Sequence, residues 1–299
     1  MTACKLCGGP AASFMIRDRF PILKCAACGF MFAVVPEGYD LAALYKRDSY
    51  WQEGGEIHYL SGYDDYWRGV RRYYEARLPR IRALCKGVRM LEIGCADGRF
   101  LKLARRGGFD VSGVEMSDLM RERCRQNLAC SVYPSIEELP RDAPPFDCVV
   151  AFEVIEHTAD PIGFIKQVRE LTAPGGLIAL STPNFGCDSA MRSPQEFIHF
   201  SPPAHVCYFD SATLCACVRM AGLQAVQITP CFAGQEVPMP AWMAAMLRPL
   251  RRGKRRLRPG GLIGRVLKAY LRRRGLRLTD LPDALRFAET LELYATRPT

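Results

Sequence analysis

Four cysteines near the start of the chain have the spacing of metal ligands. Cys4 and Cys7 form one Cys-x-x-Cys pair followed by glycine, and Cys25 and Cys28 form a second pair after 17 intervening residues. Each pair makes a tight turn that directs two thiolates at one point, so two pairs predict a tetrahedral four-sulfur site suited to Zn²⁺. Because the protein would fill all four coordination positions, we expect the metal to be structural. The alternative is a redox pair.

A second group of chemistry-bearing residues begins where a predicted strand ends. Glu92 is followed by Gly94-Cys95-Ala96-Asp97-Gly98, and small residues at such a turn let a ligand approach the backbone. The spacing differs from the G-x-G-x-x-G motif that holds a pyrophosphate, and an acid beside it would repel phosphate but pair with an ammonium group. Glu115 ends the next strand, where a carboxylate accepts hydrogen bonds from ribose hydroxyls. A ligand with a ribose and an amino-acid group, such as S-adenosylmethionine, fits these features.

Side chains that could move a proton or hold a methyl acceptor follow the fourth and fifth predicted strands. These candidates are Glu153, Glu156, His157, Asn184 and His205. A histidine or carboxylate beside an acceptor hydroxyl can remove its proton, and an amide can hold the acceptor. For His157 the alternative is a structural cap on the turn that precedes a helix. We expect Glu153 to contact the cofactor or the acceptor rather than to act as the base.

Strand–helix alternation after residue 85 positions these side chains. Apolar stretches predict seven strands, at 88–93, 111–115, 131–133, 147–152, 177–181, 224–229 and 290–295. Helical stretches between them include 118–128, 161–171 and 211–221. This alternation indicates a parallel α/β sheet, in which ligands bind at the carboxyl ends of the strands. The candidates above are therefore expected to meet at one edge of the sheet.

Aromatic residues are concentrated between residues 36 and 84. Five side chains in this region recur at the spacing of one helical face: Trp67, Val70, Tyr74, Leu78 and Ile81. One interpretation is a packed helical arm, and the other is a lid whose rings face a ligand, including a cationic one. Tyr50 and Trp51 are the residues of this region that we assign to the acceptor.

In combination, these segments resemble the class I S-adenosylmethionine-dependent methyltransferases. The segments that carry the resemblance follow the family's order: Glu92–Gly98, Glu115, Phe146–His157 and Pro174-Gly175-Gly176. The cysteine pairs, the aromatic Leu44-Tyr45…Tyr50-Trp51 and the segment Ser201–Phe209 resemble one bacterial branch. Members of that branch carry an N-terminal zinc ribbon and are associated with surface-glycan or natural-product sugars. The chain departs from the family at Ala96, where a glycine is usual.

The resemblance implies a Rossmann-like seven-stranded methyltransferase sheet with helices on both faces, beside a small zinc ribbon. It also implies S-adenosylmethionine as cofactor and structural Zn²⁺. The implied cofactor-binding residues are Glu92, Gly94, Cys95, Ala96, Gly98, Glu115, Met116, Ser135, Phe152 and Glu153. The catalytic candidates are His157, His205 and Glu153, and the candidate acceptor contacts are Asn184, His205, Tyr208, Tyr50 and Trp51.

The net excess of positive charge lies in one part of the chain. The 299 residues carry a net charge of +10, and the segment 241–279 contains 13 Lys or Arg and no acid, so it accounts for the whole excess. It could be a solvated helix face, a contact with an anionic membrane, or a contact with RNA.

The sequence divides into five predicted parts. They are a zinc ribbon at 1–35 with strands at 13–20 and 30–35, a helical arm or lid at 36–84, a methyltransferase core at 85–230, a basic amphipathic insert at 231–285 and the last core strand at 286–299.

The leading hypothesis is an enzyme that methylates a hydroxyl of a small molecule or a glycan, including a lipid-linked one. One alternative is an RNA methyltransferase that grips RNA with the zinc ribbon and the basic insert. It is less favoured because the sequence has no RNA-binding fingerprint. A second alternative is a non-catalytic protein that binds cofactor or a partner. With no secretory signal or membrane-spanning segment recognisable, we predict a cytoplasmic protein, with 241–279 as a candidate peripheral contact at the inner face of the membrane.

Overall fold

The computed structural model describes residues 2–51, 63–231 and 290–299. The basic segment 241–279 lies outside the described residues, so its membrane and RNA interpretations stay predictions. Within the described ranges, no helix has the length and hydropathy that a membrane-spanning helix requires.

The N-terminal part of the chain forms a small antiparallel sheet, which we call the cysteine module together with its turns (residues 2–35). Its strands are β1 (Thr2–Ala3), β2 (Pro10–Arg17), β3 (Phe20–Cys25) and β4 (Met31–Ala33). A fifth strand, β10 (Cys207–Tyr208), joins the sheet beside β4. The two Cys-x-x-Cys turns need the glycine that follows each, because Gly8 and Gly29 have φ of 72° and 79°, values that other residues rarely adopt.

The predicted strands of this module were partly wrong. The stretch 13–20 crosses a hairpin turn at Asp18 and Arg19, whose φ values are 48° and 72°. Phe20 therefore begins β3, a strand that the sequence analysis missed, and the predicted stretch 30–35 shortens to β4. Two charged residues that interrupt an apolar run were the available sign of this turn.

Three helices follow the cysteine module: α1 (Leu41–Lys46), α2 (Asp48–Trp51) and α3 (Tyr63–Leu84). Asp40 caps α1 by accepting hydrogen bonds from the N–H groups of Ala42 and Ala43. The helical face predicted from the aromatic spacing lies on α3, where Trp67 packs against Tyr74 with 5.1 Å between ring centroids.

A buried ion pair fixes α3 to the end of the chain. Arg77 donates from Nε to Oε1 of Glu292 at 2.8 Å, and both side chains are at most 5% exposed. The guanidinium also lies over the rings of Tyr74 and Phe152, 4.8 and 4.4 Å from their centroids. A buried carboxylate needs such a partner because removing one member of the pair leaves an uncompensated charge.

The central sheet has the predicted seven strands within the described residues. They are β5 (Arg89–Ile93), β6 (Asp110–Val114), β7 (Ser131–Tyr133), β8 (Phe146–Phe152), β9 (Thr172–Pro183), β11 (Gln224–Cys231) and β12 (Thr290–Thr296). Their order is β11-β12-β9-β8-β5-β6-β7. The strands from β5 to β9 pair in parallel, whereas β12 is antiparallel to both β9 and β11. The sheet is therefore mixed rather than wholly parallel.

Helices cover both faces of this sheet, as predicted. They are α4 (Arg99–Arg106), α5 (Asp118–Asn127), α6 (Pro161–Leu171), α7 (Asp188–Arg192) and α8 (Ser211–Met220). Along β8, Val149 and Ala151 belong to a core shared with α6, α8 and the cysteine module. Val150 and Phe152 belong to a separate core shared with α3, α4 and α5. This alternation places the cysteine module on one face of the sheet and α3 on the other.

Candidate active site

The four cysteines of the module converge as their spacing predicts. Their sulfur atoms all lie within 4.8 Å of one another, with Cys4 Sγ 3.7 Å from Cys28 Sγ and Cys7 Sγ 3.5 Å from Cys25 Sγ. A disulfide would bring two sulfurs to about 2 Å, whereas Zn–S bonds of about 2.3 Å in a tetrahedron separate the sulfurs by roughly 3.8 Å. The group therefore has the dimensions of a four-sulfur metal site.

Backbone N–H groups stabilise negative charge on these sulfurs. Leu6 N–H donates to Cys4 Sγ at 3.4 Å and Cys28 N–H to Cys25 Sγ at 3.5 Å. Burial opposes ionisation of Cys25, but N–H groups of Cys28 and Ala27 and the neighbouring thiols lower its pKa to about 6. Burial raises the pKa of Cys4 and of Cys28, so Cys25 is the member of these three that ionises most readily, and a thiolate is the form that binds metal.

The loop between β5 and α4 has the backbone shape of a ligand-binding turn. Gly94, Ala96 and Gly98 all have positive φ, at 74°, 46° and 77°. A Cβ at Gly94 would lie 2.7 Å from Val154 Cγ2, so the loop packs directly against the turn after β8. Ala96 adopts the left-handed conformation in which the family's usual glycine carries no steric cost.

Two buried acids end the strands beside this loop. Glu115 accepts hydrogen bonds from Ala96 N–H at 2.9 Å and from Ser117 N–H at 2.8 Å, and burial raises its pKa. Oε2 of Glu92 is buried and has no hydrogen-bond donor among the described residues, and burial, with Asp97 and Glu115 nearby, raises its pKa well above the usual range. An ammonium group would supply the missing donor, so the residues present fit the amino-acid end of S-adenosylmethionine.

The other predicted cofactor residues surround the same edge. Cys95 and Phe152 are buried, and the Phe152 ring packs 5.2 Å from that of Phe100. Met116 is exposed directly after Glu115. Ser135 follows β7, and its side chain forms a hydrogen bond with Glu137. The pKa of Glu137 is lowered, first by its own backbone N–H and then by Ser135.

Glu153 sits at a strained point where β8 ends. Its φ is 56°, which is uncommon for a residue other than glycine, and its Oε1 accepts a hydrogen bond from the Ser181 hydroxyl at 2.7 Å. Burial raises its pKa, against the opposing effect of Arg77. The carboxyl is therefore held toward β9, and its contact with the cofactor or the acceptor stays a prediction.

His157 ends a short 3-10 helix, Ile155–His157, immediately after β8. Its Nδ1 lies 2.8 Å from the Ala204 carbonyl oxygen and 2.6 Å from the Tyr45 hydroxyl, which itself donates to the same carbonyl at 2.7 Å. Both contacts require an N–H at Nδ1, so Nε2 carries the lone pair. Burial lowers the pKa of His157 to about 4, although the carbonyls of Ala204 and Glu153 raise it.

His205 comes from a distant loop and has the same tautomer. Its Nδ1 lies 2.8 Å from the His199 carbonyl oxygen, and its ring centroid lies 4.8 Å from that of His157. Burial, followed by the charges of His157 and His199, lowers its pKa well below the usual value. Both rings are therefore neutral at neutral pH, and each has an Nε2 that can accept a proton or bind a metal.

Glu156 completes this group, which we call the histidine cluster (Glu156, His157 and His205). The ligand atoms of the three residues lie within 4.8 Å of one another, and Glu156 Oε1 is 4.0 Å from His157 Nε2. The Glu156 side chain is fully buried, and neither oxygen has a hydrogen-bond partner among the described residues. Burial and the neighbouring Glu153 raise its pKa well above the usual range. Within the described residues the Glu156 carboxyl has no positively charged partner, which a proton or a metal ion would supply.

Tyr50 and Trp51, two of the predicted acceptor contacts, lie beside the histidine cluster. The Tyr50 ring packs 5.0 Å from Tyr45, and the Trp51 ring packs 5.2 Å from Tyr50. Trp51 also donates from Nε1 to the Tyr45 carbonyl oxygen at 2.9 Å. Together they extend a row of rings that begins at His157.

Tyr208 and Asn184, the other two, have structural surroundings. Tyr208 is 1% exposed and its hydroxyl donates to the His205 carbonyl oxygen at 2.7 Å. This bond supports the His205 loop, and the role of Tyr208 as an acceptor contact stays a prediction. Asn184 is 7% exposed and its Oδ1 accepts from Gly186 N–H at 3.0 Å. Its side-chain amide oxygen therefore stabilises the turn after β9.

Sequence reasoning missed two long-range contacts: the hydroxyl of Tyr45 beside His157, and the ion pair between Arg77 of α3 and Glu292. Tyr45 and Arg77 lie in segments whose pattern indicates helical packing, and their partners are more than 100 residues away in the chain. No local spacing signals such pairs. Glu156 was recognisable as an acid beside His157 but was left out of the assigned residues, because burial could not be inferred at a strand end.

Comparison with known proteins places the chain in a family. A family described as a methyltransferase domain matches residues 66–228. Among curated relatives, ubiquinone biosynthesis O-methyltransferase of Caulobacter sp. (strain K31) is 37% identical over 106 residues, covering 33% of this chain and 42% of the relative. The enzyme of the same name from Neisseria meningitidis serogroup C is 28% identical over 163 residues, covering 51% and 61%. The chain thus spans about half the length of these relatives.

Solved structures share the fold at low sequence identity. Phosphoethanolamine N-methyltransferase 2 of Haemonchus contortus, in complex with S-adenosyl-L-methionine, has a TM-score of 0.52 at 15% identity, covering 90% of this chain and 62% of that one. A Haloferax volcanii complex containing the Trm112 methyltransferase activator has a TM-score of 0.51 at 17% identity, covering 79% and 92%.

The family match covers more than half of the chain and includes the glycine loop and both acids beside it. It also includes the whole histidine cluster. The predicted cofactor class and the predicted enzyme class are confirmed at this level, whereas the sugar-associated branch stays a prediction. The chain belongs to the class I S-adenosylmethionine-dependent methyltransferases.

Proposed function

We propose that the protein transfers a methyl group to a hydroxyl of a small molecule. The observation that carries this proposal is the histidine cluster. In it, His157 Nε2 lies 4.0 Å from Oε1 of Glu156, a ring nitrogen of His205 lies within 4.8 Å of the other two ligand atoms, and the buried Glu156 oxygens have no hydrogen-bond partner among the described residues. A hydroxyl must lose its proton when it is methylated, and this cluster can receive one. The name O-methyltransferase that two relatives carry supports oxygen as the acceptor atom.

In the proposed mechanism His157 is the general base. It is the more accessible of the two rings, with 20% of its side chain exposed against 7% for His205. The Ala204 carbonyl holds Nδ1–H, so Nε2 accepts the hydroxyl proton, and Glu156 at 4.0 Å stabilises the imidazolium that forms. When bound, S-adenosylmethionine supplies the methyl group and its sulfur is the leaving group, so the S–CH₃ bond breaks as the O–CH₃ bond forms.

A divalent cation is the second candidate for the same cluster. Each histidine donates its Nδ1–H to a backbone carbonyl, which is how proteins orient metal-ligating histidines, and Glu156 offers two oxygens without other partners in the described part of the chain. A bound cation lowers the pKa of a coordinated hydroxyl. Dialysis against a chelator distinguishes the two: activity restored by Mg²⁺ or Mn²⁺ favours the cation, and activity unaffected by the chelator favours His157 as base.

The row of rings beside His157 supports an acceptor whose hydroxyl is carried on a ring. Tyr45, Tyr50 and Trp51 follow one another at centroid distances of 5.0 and 5.2 Å, and such rings pack against flat or apolar ligand faces. A hydroxylated aromatic compound and a sugar both present such a face. The glycan and lipid-linked acceptors are therefore members of this class, whereas the RNA hypothesis depends on the undescribed basic segment.

The proposal is tested with methyl-labelled S-adenosylmethionine and a panel of ring compounds that carry free hydroxyls. The matched controls are the same compounds with those hydroxyls already methylated. We expect label only in the free hydroxyl compounds, recovered as a methyl ether. Label on a nitrogen or carbon of these compounds, or on RNA from the same host in preference to them, would refute the proposal.

We also propose that the four cysteines bind one structural Zn²⁺. The proposal is supported by the tetrahedral sulfur spacing and by the N–H groups that donate to two of the sulfurs. Elemental analysis of protein purified without added metal is expected to give one zinc per chain. Metal-free protein with an intact module, or two disulfides in its place, would contradict the assignment.

A further inference from the structure

The cysteine module and the histidine cluster share one sheet. Strand β10 begins two residues after His205 and pairs with β4, so that Cys207 lies opposite Phe32. On its other edge, β4 pairs with β3, which ends at the metal-ligand candidate Cys25. Only one strand therefore separates the strand that carries Cys25 from the strand that follows His205.

Val206 connects this sheet to the histidine cluster directly. Its carbonyl oxygen accepts a hydrogen bond from Ala33 N–H at 3.0 Å, and its own N–H donates to the Glu156 carbonyl oxygen at 2.8 Å. On the following strand, the Tyr208 hydroxyl donates to the His205 carbonyl oxygen at 2.7 Å. The backbone on both sides of His205 is thus held by the sheet to which the cysteine module belongs.

Apolar packing follows the same route. Phe30, which comes directly after the second cysteine turn, is fully buried and packs 5.0 Å from the Phe209 ring. Its carbonyl oxygen accepts from Cys25 N–H at 2.8 Å. Phe30 therefore contacts both parts: its backbone carbonyl holds the second cysteine turn, and its ring packs against Phe209, the residue that follows β10.

The residues that pack behind the cofactor loop belong to the other face of the central sheet. Cys95, Phe100 and Leu101 share a core with α3, α4 and α5, whereas the cysteine module shares its core with α6 and α8. Ile93 and Val114, at the ends of β5 and β6, do belong to the module's core, so apolar packing extends from the module toward the glycine loop as well. The hydrogen bonds named above, in contrast, connect the module to the backbone on both sides of His205.

We infer that the cysteine module is a positioning element of the histidine cluster, so that loss of its metal lowers turnover while cofactor binding persists. The inference rests on the proposed role of that cluster in methyl transfer. Without metal, the turn after β3 loses the bonds that fix Cys25, and the pairing of β3, β4 and β10 weakens with it. A displacement of about 1 Å in a catalytic group can lower its rate about 100-fold.

The first test removes one metal ligand and leaves the rest of the molecule unchanged. Cys7 is the exposed member of the four, so Cys7→Ser disturbs no core packing, and Cys130→Ser makes the same chemical change outside the module. Zinc content, kcat, the Kd for S-adenosylmethionine and the histidine side-chain NMR signals are measured for both variants. We expect Cys7→Ser to lose zinc, to lose about 100-fold in kcat, to keep its cofactor Kd and to shift the signals of His157 and His205.

A second variant breaks the connection without touching a cysteine. Ala33→Pro removes the N–H that donates to Val206, while Ala33→Gly at the same site retains it. We expect Ala33→Pro to retain zinc and cofactor affinity but to show lower kcat and shifted His205 signals, and Ala33→Gly to resemble the unaltered protein in these measurements.

The outcomes separate this inference from the proposed function. If the unaltered protein methylates no hydroxyl compound, the proposed function fails, but the histidine signals still report whether the module positions the cluster. Zinc-free Cys7→Ser with unchanged kcat and unchanged histidine signals would overturn the inference. So would loss of cofactor binding in that variant, because the module would then support the whole sheet rather than the cluster.

Discussion

The two groups of ligand-type side chains found among the described residues, the four cysteines and the histidine cluster, are built in opposite ways. The four cysteines come from two short turns, and N–H groups of the same turns donate to Cys4 and Cys25. The histidine cluster joins the turn after β8 to a loop before β10, and the oxygens of Glu156 have no partner among the described residues. A group with local ligands in all four positions suits a structural metal. A buried group that still lacks a partner suits a substrate, a proton or a catalytic cation.

The largest effect is expected from removing one ligand of the four-cysteine group. Cys25→Ser should lose the bound zinc and reduce the free energy of unfolding by about 3 to 5 kcal/mol, because metal binding contributes directly to folding. Cys215→Ser, at a half-buried thiol in α8, should retain both. Elemental analysis and thermal unfolding measure the two quantities, and a full zinc content in Cys25→Ser would contradict the four-sulfur site.

Glu156→Gln tests the histidine cluster, whose members come from two distant parts of the chain. The substitution keeps the size of the side chain but removes the carboxyl group that ionises when the His157 imidazolium forms, so we expect kcat to fall about 100-fold or more with the cofactor Kd unchanged. Glu170→Gln is the matched control, since the Glu170 side chain is 62% exposed and lies outside the cluster. Initial rates of methyl transfer give the comparison, and a Glu156→Gln enzyme of normal kcat would remove Glu156 from the mechanism.

A smaller effect is expected at the cofactor edge. In Glu115→Gln one acceptor oxygen is replaced by an NH₂ group that faces the N–H of Ala96 or Ser117. A ribose hydroxyl of the cofactor would also lose a carboxylate acceptor, and a hydrogen bond to a charged group contributes about 1.5 to 3 kcal/mol, so cofactor affinity should fall about 10- to 100-fold. Calorimetric titration with S-adenosylmethionine measures it. Glu122→Gln, at a side chain 60% exposed, should leave the affinity unchanged, and an equal loss in both variants would disprove the role of Glu115.

The smallest effect is expected from Ala96→Gly. Ala96 has φ of 46°, a conformation that costs an L-residue about 1 to 2 kcal/mol, whereas glycine adopts it freely but loses about 0.5 to 1 kcal/mol more entropy on folding. We expect a net gain of about 0.5 kcal/mol in the free energy of unfolding, seen as a small rise in melting temperature. A fall in melting temperature would show that the loop is not strained at this residue.

Sequence alone predicted the parts of this protein that depend on local pattern. The seven strands of the central sheet follow from apolar stretches, and the four-cysteine group follows from two Cys-x-x-Cys pairs. The turn at Asp18 was not predicted, because the charged residues that interrupt the apolar run there were taken as part of one strand. The structural role of Tyr208 was not predicted either, because its burial depends on Phe185 and Phe200, whose rings pack 4.8 and 5.0 Å away.

The connection between the two groups could not be read from the sequence at all. The predicted boundary at residue 35 separates the module from the core along the chain, yet β10 joins the module's sheet from the core side. A two-residue strand such as Cys207–Tyr208 has too few residues to show an alternating pattern. Long-range pairing of this kind appears only when the fold is known.

The measurement that tests the central claim most directly is label transfer in a fractionated extract of the host. Unaltered protein and Glu156→Gln are each incubated with methyl-labelled S-adenosylmethionine and the same extract, and label is counted in the small-molecule, lipid, RNA and protein fractions. The account predicts label in the small-molecule or lipid fraction, bound as a methyl ether, and its loss in Glu156→Gln. Label in RNA or protein, or equal labelling by both proteins, would contradict it.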